Sequence, residues 1–368
     1  MRPLLTDIAR GLPQTVPFVG PEAIERRTGQ LIRARVGANE SGFGPSPKVV
    51  AAIASAAGTV WQYGDPEIHD LRQALARHLA IPAANLVIGE GIDGLHGLIA
   101  RLVIAPGDVA VTSLGAYPTF NYHVTGFGGR VVASPYSACS EDLGALLDAA
   151  RRERAKVIYL SNPDNPMGTW WSADDIAAFI AAVPDETLVL LDEAYCETAP
   201  AGTLPPLDIT RPNLIRTRTF SKAYGLAGMR VGYAIGEAGL IGAFDRVRNH
   251  FGVTRLGQVA ALAALADQAY LSEVVANVAA GRDRIMAIAA TNGLASVESA
   301  TNFVAVDCGR DGAYALLVLK ALEARRIFVR KPMAPGLDQH IRISVGRVEE
   351  LDYLAGQLPL ALAEASKT

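Results

Sequence analysis

The chain has 368 residues, half of them hydrophobic and 19% charged, the profile of a globular enzyme of two or three packed units. Its formal net charge of −3 supplies no basic field for holding a polyphosphate backbone, which excludes nucleic acid as an expected partner. No apolar run reaches the roughly 20 residues that span a bilayer, and the opening segment, rich in proline, arginine and acids, does not read as a signal peptide.

In chain order, seven short apolar runs appear: Leu86–Ile88, Val109–Val111, Val131–Val132, Val157–Leu160, Leu188–Leu191, Leu214–Ile215 and Val231–Tyr233. Each is bounded by Gly, Pro, Asp or Asn, as expected of strands buried on both faces of a mostly parallel sheet. Between them lie segments of helical period, Gly94–Val103, Leu143–Arg154 and Ala173–Val183, the last opening on a capping-box-like Ser172 and Asp175. This alternation predicts an α/β domain with a mostly parallel seven-stranded sheet flanked by helices. The last third changes character. Alanine-rich helical stretches, Ala260–Ala280 and Ala313–Ala324, surround strand-like Phe303–Val306 and Ile341–Ile343. A smaller α+β domain is expected there. The division reads as an arm and part of the small domain over 1–45, a large domain over 46–252 and a small domain over 253–368.

Cys139, Cys196 and Cys308 are odd in number and lack a C-x-x-C, and the six histidines show no metal-ligand spacing. A reduced, cytoplasmic protein without a structural metal is the expectation.

Lysine is scarce, and five of the six sit in contexts where a solvated side chain is explanation enough. Lys222 is different. It follows a strand within Thr219-Phe220-Ser221-Lys222-Ala223-Tyr224-Gly225, with Arg230 eight residues on. A Schiff-base lysine needs a shielded pocket that lowers its pKa, with phosphate donors nearby; the bland alternative is a loop lysine before a turn. A second element is Leu188–Leu191 running into Asp192-Glu193-Ala194-Tyr195. An acid at the carboxyl end of a buried strand stands where open α/β sheets place ligands. Asp192 could keep a pyridine ring protonated and Tyr195 could donate to its phenolic oxygen, or Asp192 could simply cap the next helix. A third is Asn162-Pro163-Asp164-Asn165-Pro166-Met167-Gly168, where turn chemistry explains the prolines and Asn165 could reach a ring oxygen.

Together these pieces resemble the fold type I pyridoxal-phosphate aminotransferases, in particular the histidinol-phosphate aminotransferase family. Further matches are Asn39-Glu40 with Gly44-Pro45-Ser46-Pro47, Tyr63-Gly64-Asp65-Pro66 with Leu71-Arg72, Ala105-Pro106-Gly107-Asp108, Pro118-Thr119-Phe120 and Arg342-Ile343-Ser344-Val345-Gly346. The resemblance implies the aspartate aminotransferase fold, with Lys222 carrying pyridoxal 5'-phosphate and moving the proton at the substrate α-carbon. It implies that Asp192 pairs with the pyridinium, that Asn165 and Tyr195 bind the phenolic oxygen, and that Phe120 stacks on the ring. Thr219, Ser221 and Arg230 would hold the phosphate, joined by Tyr63 of a second subunit in a homodimer with shared sites. Asn39 belongs to the substrate segment, and Arg342 and Arg330 are candidate anion anchors, since the planar guanidinium fork binds carboxylate or phosphate bidentately.

Gly89-Glu90-Gly91-Ile92-Asp93-Gly94 is a rival signal, a G-x-G-x-x-G between a strand and a helix, as a nicotinamide or flavin oxidoreductase requires. The acid expected about 20 residues on is missing; that stretch reads Thr112-Ser113-Leu114-Gly115-Ala116-Tyr117. The same glycines also let backbone at Gly91, Ile92 and Asp93 approach a single phosphate at a helix start. A non-catalytic sensor of the same fold is a third reading, opposed by the presence of both Lys222 and Asp192. Departures from the family pattern are Ser41, Gly42, Phe43, Ile92 and Met167, and they are expected to bear on substrate choice. The expected reaction is amino transfer between an L-amino acid and 2-oxoglutarate or a similar oxo acid. Histidinol phosphate leads as partner substrate; aromatic amino acids, or decarboxylation of a phosphorylated amino acid, are the alternatives.

Overall fold

The computed structural model describes residues 4–13 and 19–367. Its strands, in chain order, are β1 (Ala34–Arg35), β2 (Leu86–Gly89), β3 (Val109–Ser113), β4 (Arg130–Ser134), β5 (Val157–Ser161), β6 (Leu188–Asp192), β7 (Leu214–Thr219), β8 (Gly232–Gly236), β9 (Phe303–Asp307), β10 (Ile327–Phe328) and β11 (His340–Ser344). Seven of them make one sheet in the order β2-β8-β7-β6-β5-β3-β4. Only β8 runs against its neighbours; the others are parallel. All seven apolar runs named above lie in or beside these strands.

The sheet is dry because side chains alternate across it and both faces are covered. Val87, Ala110, Val157, Tyr159, Leu190, Ile215 and Ala234 face the helices Gly91–Val103 and Thr119–Gly126. Their strand neighbours Val111, Ile158, Leu160, Val189 and Leu191 face the helices Leu143–Glu153 and Ala173–Ala182. Ser172 Oγ accepts from the backbone N–H of Asp175 at 3.1 Å, so the expected cap forms. The geometry also sets chemistry: Gly89, Ser113, Ser161, Asp192 and Thr219 are all final residues of strands that run the same way. That edge is where ligands settle in open α/β sheets.

A separate core gathers Ala34 and Val36 with Val274, Val278 and residues of β9, β11 and the helices Gly312–Ala324 and Val348–Ala365. Here β1 pairs in parallel with β10, and β9 antiparallel with β11. The expected single helix over Ala260–Ala280 is instead two, Arg255–Leu265 and Gln268–Thr291, meeting at 82°. At the corner Asp267 accepts hydrogen bonds from Ser46 Oγ and, at 2.8 Å, from Lys48 Nζ. The first helix packs its alanines on Val49, Leu71 and Phe220 of the large-sheet side. The turnover between cores therefore falls between Leu265 and Val274, beyond the 252/253 division expected from sequence. Among the described residues no single helix is long and apolar enough to cross a membrane.

Candidate active site

Two connected lobes open at the carboxyl edge of the large sheet, sharing Ala38, Asp93, Tyr117, Asn165 and Lys222. The lobe over the sheet encloses about 320 Å³ and is lined by Ile92, Ser161, Asp192, Tyr195, Thr219, Ser221 and Arg230. The second, about 470 Å³, is walled by Tyr122, Arg330, Lys331, Met333 and Arg342.

Asp192 ends β6 and is almost wholly buried. Tyr159 Oη donates to its Oδ2 at 2.8 Å and the Ala194 backbone N–H to its Oδ1 at 3.0 Å. Burial outweighs both donors and pushes its pKa up to about 7. Lys222 Nζ lies 3.3 Å from the Asn39 carbonyl oxygen and 5.6 Å from the Tyr195 ring centroid. Burial, then the neighbouring Arg342 charge, lowers the pKa of this amine to about 8, so a usable share is neutral near physiological pH.

A polar chain joins the two lobes. Asn165 Nδ2 donates to Tyr195 Oη at 3.3 Å, and Asn39 Nδ2 donates to the same oxygen at 2.9 Å. Burial raises the Tyr195 hydroxyl to about 12 despite the nearby Arg342, so it stays protonated with a hydrogen to give. Asn39 adopts a left-handed backbone, φ 56°, a conformation asparagine tolerates better than most residues. It is pinned there by Ser344 Oγ, which accepts from its N–H and donates to its Oδ1, both at 2.9 Å.

At the far side of the first lobe the helix Gly91–Val103 begins with no side-chain cap, leaving its first-turn N–H groups for another acceptor. Gly91 has φ 73°, a backbone conformation that favours glycine, and a Cβ there would also displace the tip of the Arg230 side chain. Arg230 lies 3.6 Å from Asp93 and donates to Ser221 Oγ at 3.3 Å; Thr219 Oγ1 donates to the same hydroxyl at 2.9 Å. The G-x-G-x-x-G motif thus brings an uncapped helix start up to Arg230.

In the second lobe Arg330 and Arg342 are bridged backbone to backbone; Arg330 donates to the Val19 carbonyl at 3.1 Å and lies over the Phe328 ring, and its charge helps lower the pKa of Arg342. Like charges on facing strand positions are destabilising, a cost that an anion in the cavity would offset. Arg342 also donates to Asn165 Oδ1 and lies over the Phe303 ring at 5.0 Å, while its Nε is buried without a partner.

Some sequence expectations are corrected. Phe120 does not reach the cavity: it is fully buried, stacked on Tyr159 at 5.5 Å inside the sheet-side core. The helix starts at Thr119 and turns Phe120 inward, leaving Tyr117, just before it, to line both lobes. Met167 is fully buried against Ala305 and Leu337, and Phe43 packs on the second core, so neither touches the cavity. Ser41 and Gly42 line a separate surface groove. Of the five departures only Ile92 faces the site. Tyr63 lies outside both lobes, 77% exposed and 4.8 Å from the Phe251 ring. Sequence reasoning missed Tyr117, Tyr159 and Lys331; an aromatic residue in the middle of an otherwise aliphatic strand was the available signal for Tyr159.

Comparison with known proteins decides the class. Residues 34–358 match the family described as aminotransferase class I and II. The chain belongs to that family. It is an enzyme, an aminotransferase, so the dehydrogenase reading of the glycine motif and the reading as a non-catalytic sensor of the same fold both fall away. It is 35% identical over 361 residues to histidinol-phosphate aminotransferase 1 of Mesorhizobium japonicum, covering 96% of each chain. A crystal structure of histidinol-phosphate aminotransferase from Sinorhizobium meliloti in complex with pyridoxal-5'-phosphate is 56% identical, with a TM-score of 0.96 over 99% of this aminotransferase and 98% of that chain. A Thermus thermophilus aspartate aminotransferase mutant, 22% identical, superposes with a TM-score of 0.80 over 98% of this chain and 100% of its own, a likeness of fold.

Proposed function

We propose that this aminotransferase exchanges an amino group between histidinol phosphate and a 2-oxo acid such as 2-oxoglutarate. One observation carries the reading: a single cavity holds a lysine–aspartate pair at one end and Arg330, Lys331 and Arg342 at the other. An amine-handling centre faces a site for a strongly anionic substrate, whether phosphate or dicarboxylate.

Its cofactor is pyridoxal 5'-phosphate, and the donor set fits that group. Thr219, Ser221, Arg230 and the free N–H groups at Gly91, Ile92 and Asp93 suit the phosphate. Asp192 suits the pyridine nitrogen, and Asn165 and Tyr195 the phenolic oxygen. Tyr117 takes the stacking role expected of Phe120. When bound, the cofactor supplies a carbon that receives the amino group and a protonated ring that withdraws the electron pair left by α-proton removal. The chain does the rest. Lys222 Nζ takes and returns the α-proton, its lowered pKa matching it to that work. Asp192 holds the ring nitrogen's proton, and Arg342 with Arg330 orients the substrate's anionic groups, Asn39 closing the wall beside Lys222.

Exposed Trp61 and Tyr63 near Phe251 support a homodimer in which Tyr63 reaches the other subunit's phosphate site. The free thiols of Cys139, Cys196 and Cys308 support a reducing, cytoplasmic setting. An amino-donor panel of histidinol phosphate, phenylalanine and aspartate tests the substrate. Efficient transfer from histidinol phosphate is expected; transfer from phenylalanine with none from histidinol phosphate would overturn it in favour of an aromatic substrate.

A further inference from the structure

Behind Asp192, on the side away from the cavity, lies His96. It sits on the helix Gly91–Val103, is completely buried, and neither ring nitrogen has a hydrogen-bond partner. Its Nε2 is 3.7 Å from Asp192 Oδ2. The Phe120 and Tyr159 rings cross it edge-on, at 78° and 85° with centroids 5.8 and 5.5 Å away, leaving little room for the imidazole to turn. A buried, unpaired imidazole is costly, and leucine or phenylalanine would fill an aromatic box without that cost.

The surroundings fix its charge. Burial, with His123 of the next helix adding like-charge repulsion, lowers its pKa to about 3, so the ring is neutral. A neutral imidazole carries one N–H, and among the described residues Asp192 Oδ2 is the carboxylate oxygen beside Nε2. The separation is a few tenths of an ångström beyond a hydrogen bond. Asp192 for its part accepts from Tyr159 Oη and the Ala194 N–H, and these two donors do not offset the burial that pushes its pKa up to about 7.

We propose that His96 is a positioning residue for Asp192: held in the Nε2–H tautomer, it keeps that N–H directed at Asp192 Oδ2, so that the carboxylate stays ionised and aimed at the cofactor's ring nitrogen. The inference rests on the reading of Asp192 given above. A third donor to the charged form lowers the carboxyl pKa, so the acid meets the ring already ionised.

The test begins on the apoprotein. Nitrogen-15 spectra of labelled histidine are expected to show His96 protonated at Nε2 and bare at Nδ1. Carbon-13 titration of Asp192 is expected to move up by about one unit or more in His96→Phe, with pyridoxal phosphate binding about tenfold more weakly. His96→Gln places an amide N–H where Nε2 was and restores both; His96→Asn, too short, restores neither. A proton on Nδ1 in the native protein overturns the proposal, and so does an equal Asp192 midpoint in the Phe and Gln variants. The tautomer alone decides if His96→Phe does not fold. Asp192→Asn separates the two readings: unchanged cofactor affinity there removes Asp192 from the ring nitrogen while leaving the His96 result intact.

Discussion

The two lobes of the cavity are built on different terms. Over the sheet, most side chains are paired within the chain: Tyr159 serves Asp192, Thr219 and Arg230 serve Ser221, and Asn39 and Asn165 share the Tyr195 hydroxyl. Across the cavity, Arg330 and Arg342 are held side by side, and the Arg342 Nε has no partner. On the proposed reading, the first lobe would hold the resident cofactor and the second, where Arg342 Nε is buried without a partner, would receive the substrate. Resident chemistry favours preorganisation, while an exchanged substrate needs an unfilled charge to bind to.

The sharpest way to break this contrast is Lys222→Ala. Activity is expected to fall by about four orders of magnitude, as for loss of a proton-transfer group acting with others. Borohydride treatment should no longer attach cofactor to the chain, read by mass spectrometry; a surviving adduct at another lysine would place the centre elsewhere. Arg342→Ala should spare that adduct yet raise the KM for the oxo acid by about a hundredfold, the usual scale for truncating a buried charge partner. Equal damage to the adduct would show that the lobes are not separable.

A smaller effect sharpens the line between cavity and core. Tyr117→Ala should weaken cofactor binding about tenfold with little change in unfolding midpoint, since one aromatic stack is lost. Phe120→Ala should do the reverse, costing about 3–5 kcal/mol of stability in urea melts. Smallest is the pH response. Because burial lowers the Lys222 pKa to about 8, covalent capture of cofactor by the apoprotein should rise with pH through 8 and level off about one unit above it. A rate still climbing toward pH 10 by stopped flow would return the amine to its ordinary value.

The first lobe was legible in sequence because its residues sit at strand ends, where an apolar run stops and one polar side chain is left at the edge: Asp192, Thr219, and Lys222 just beyond. The seven strands were legible for the same reason. Phe120 was misplaced because a motif carries no helical phase; the start at Thr119, one residue after the proline, decides which aromatic ring faces out. Met167 and Phe43 likewise sit inside conspicuous motifs yet point into packing. Arg330 and Arg342 were both named from sequence, but their pairing needed a bridge that spans a turn, and His96 needed the helix rotation that brings it beside Asp192. Such contacts between distant segments leave no local spacing to read.

Arg342 touches neither Lys222 nor Asp192, yet its charge is the largest influence on Lys222 after burial. Thermodynamic reciprocity then binds the two together. Any anion that docks on Arg342 cancels part of the repulsion felt by the lysine and so strengthens its hold on a proton. Equally, a protonated lysine tightens the docking of that anion. If the substrate carboxylate docks on Arg342 as proposed, its arrival would make the amine a better base for the proton about to be taken.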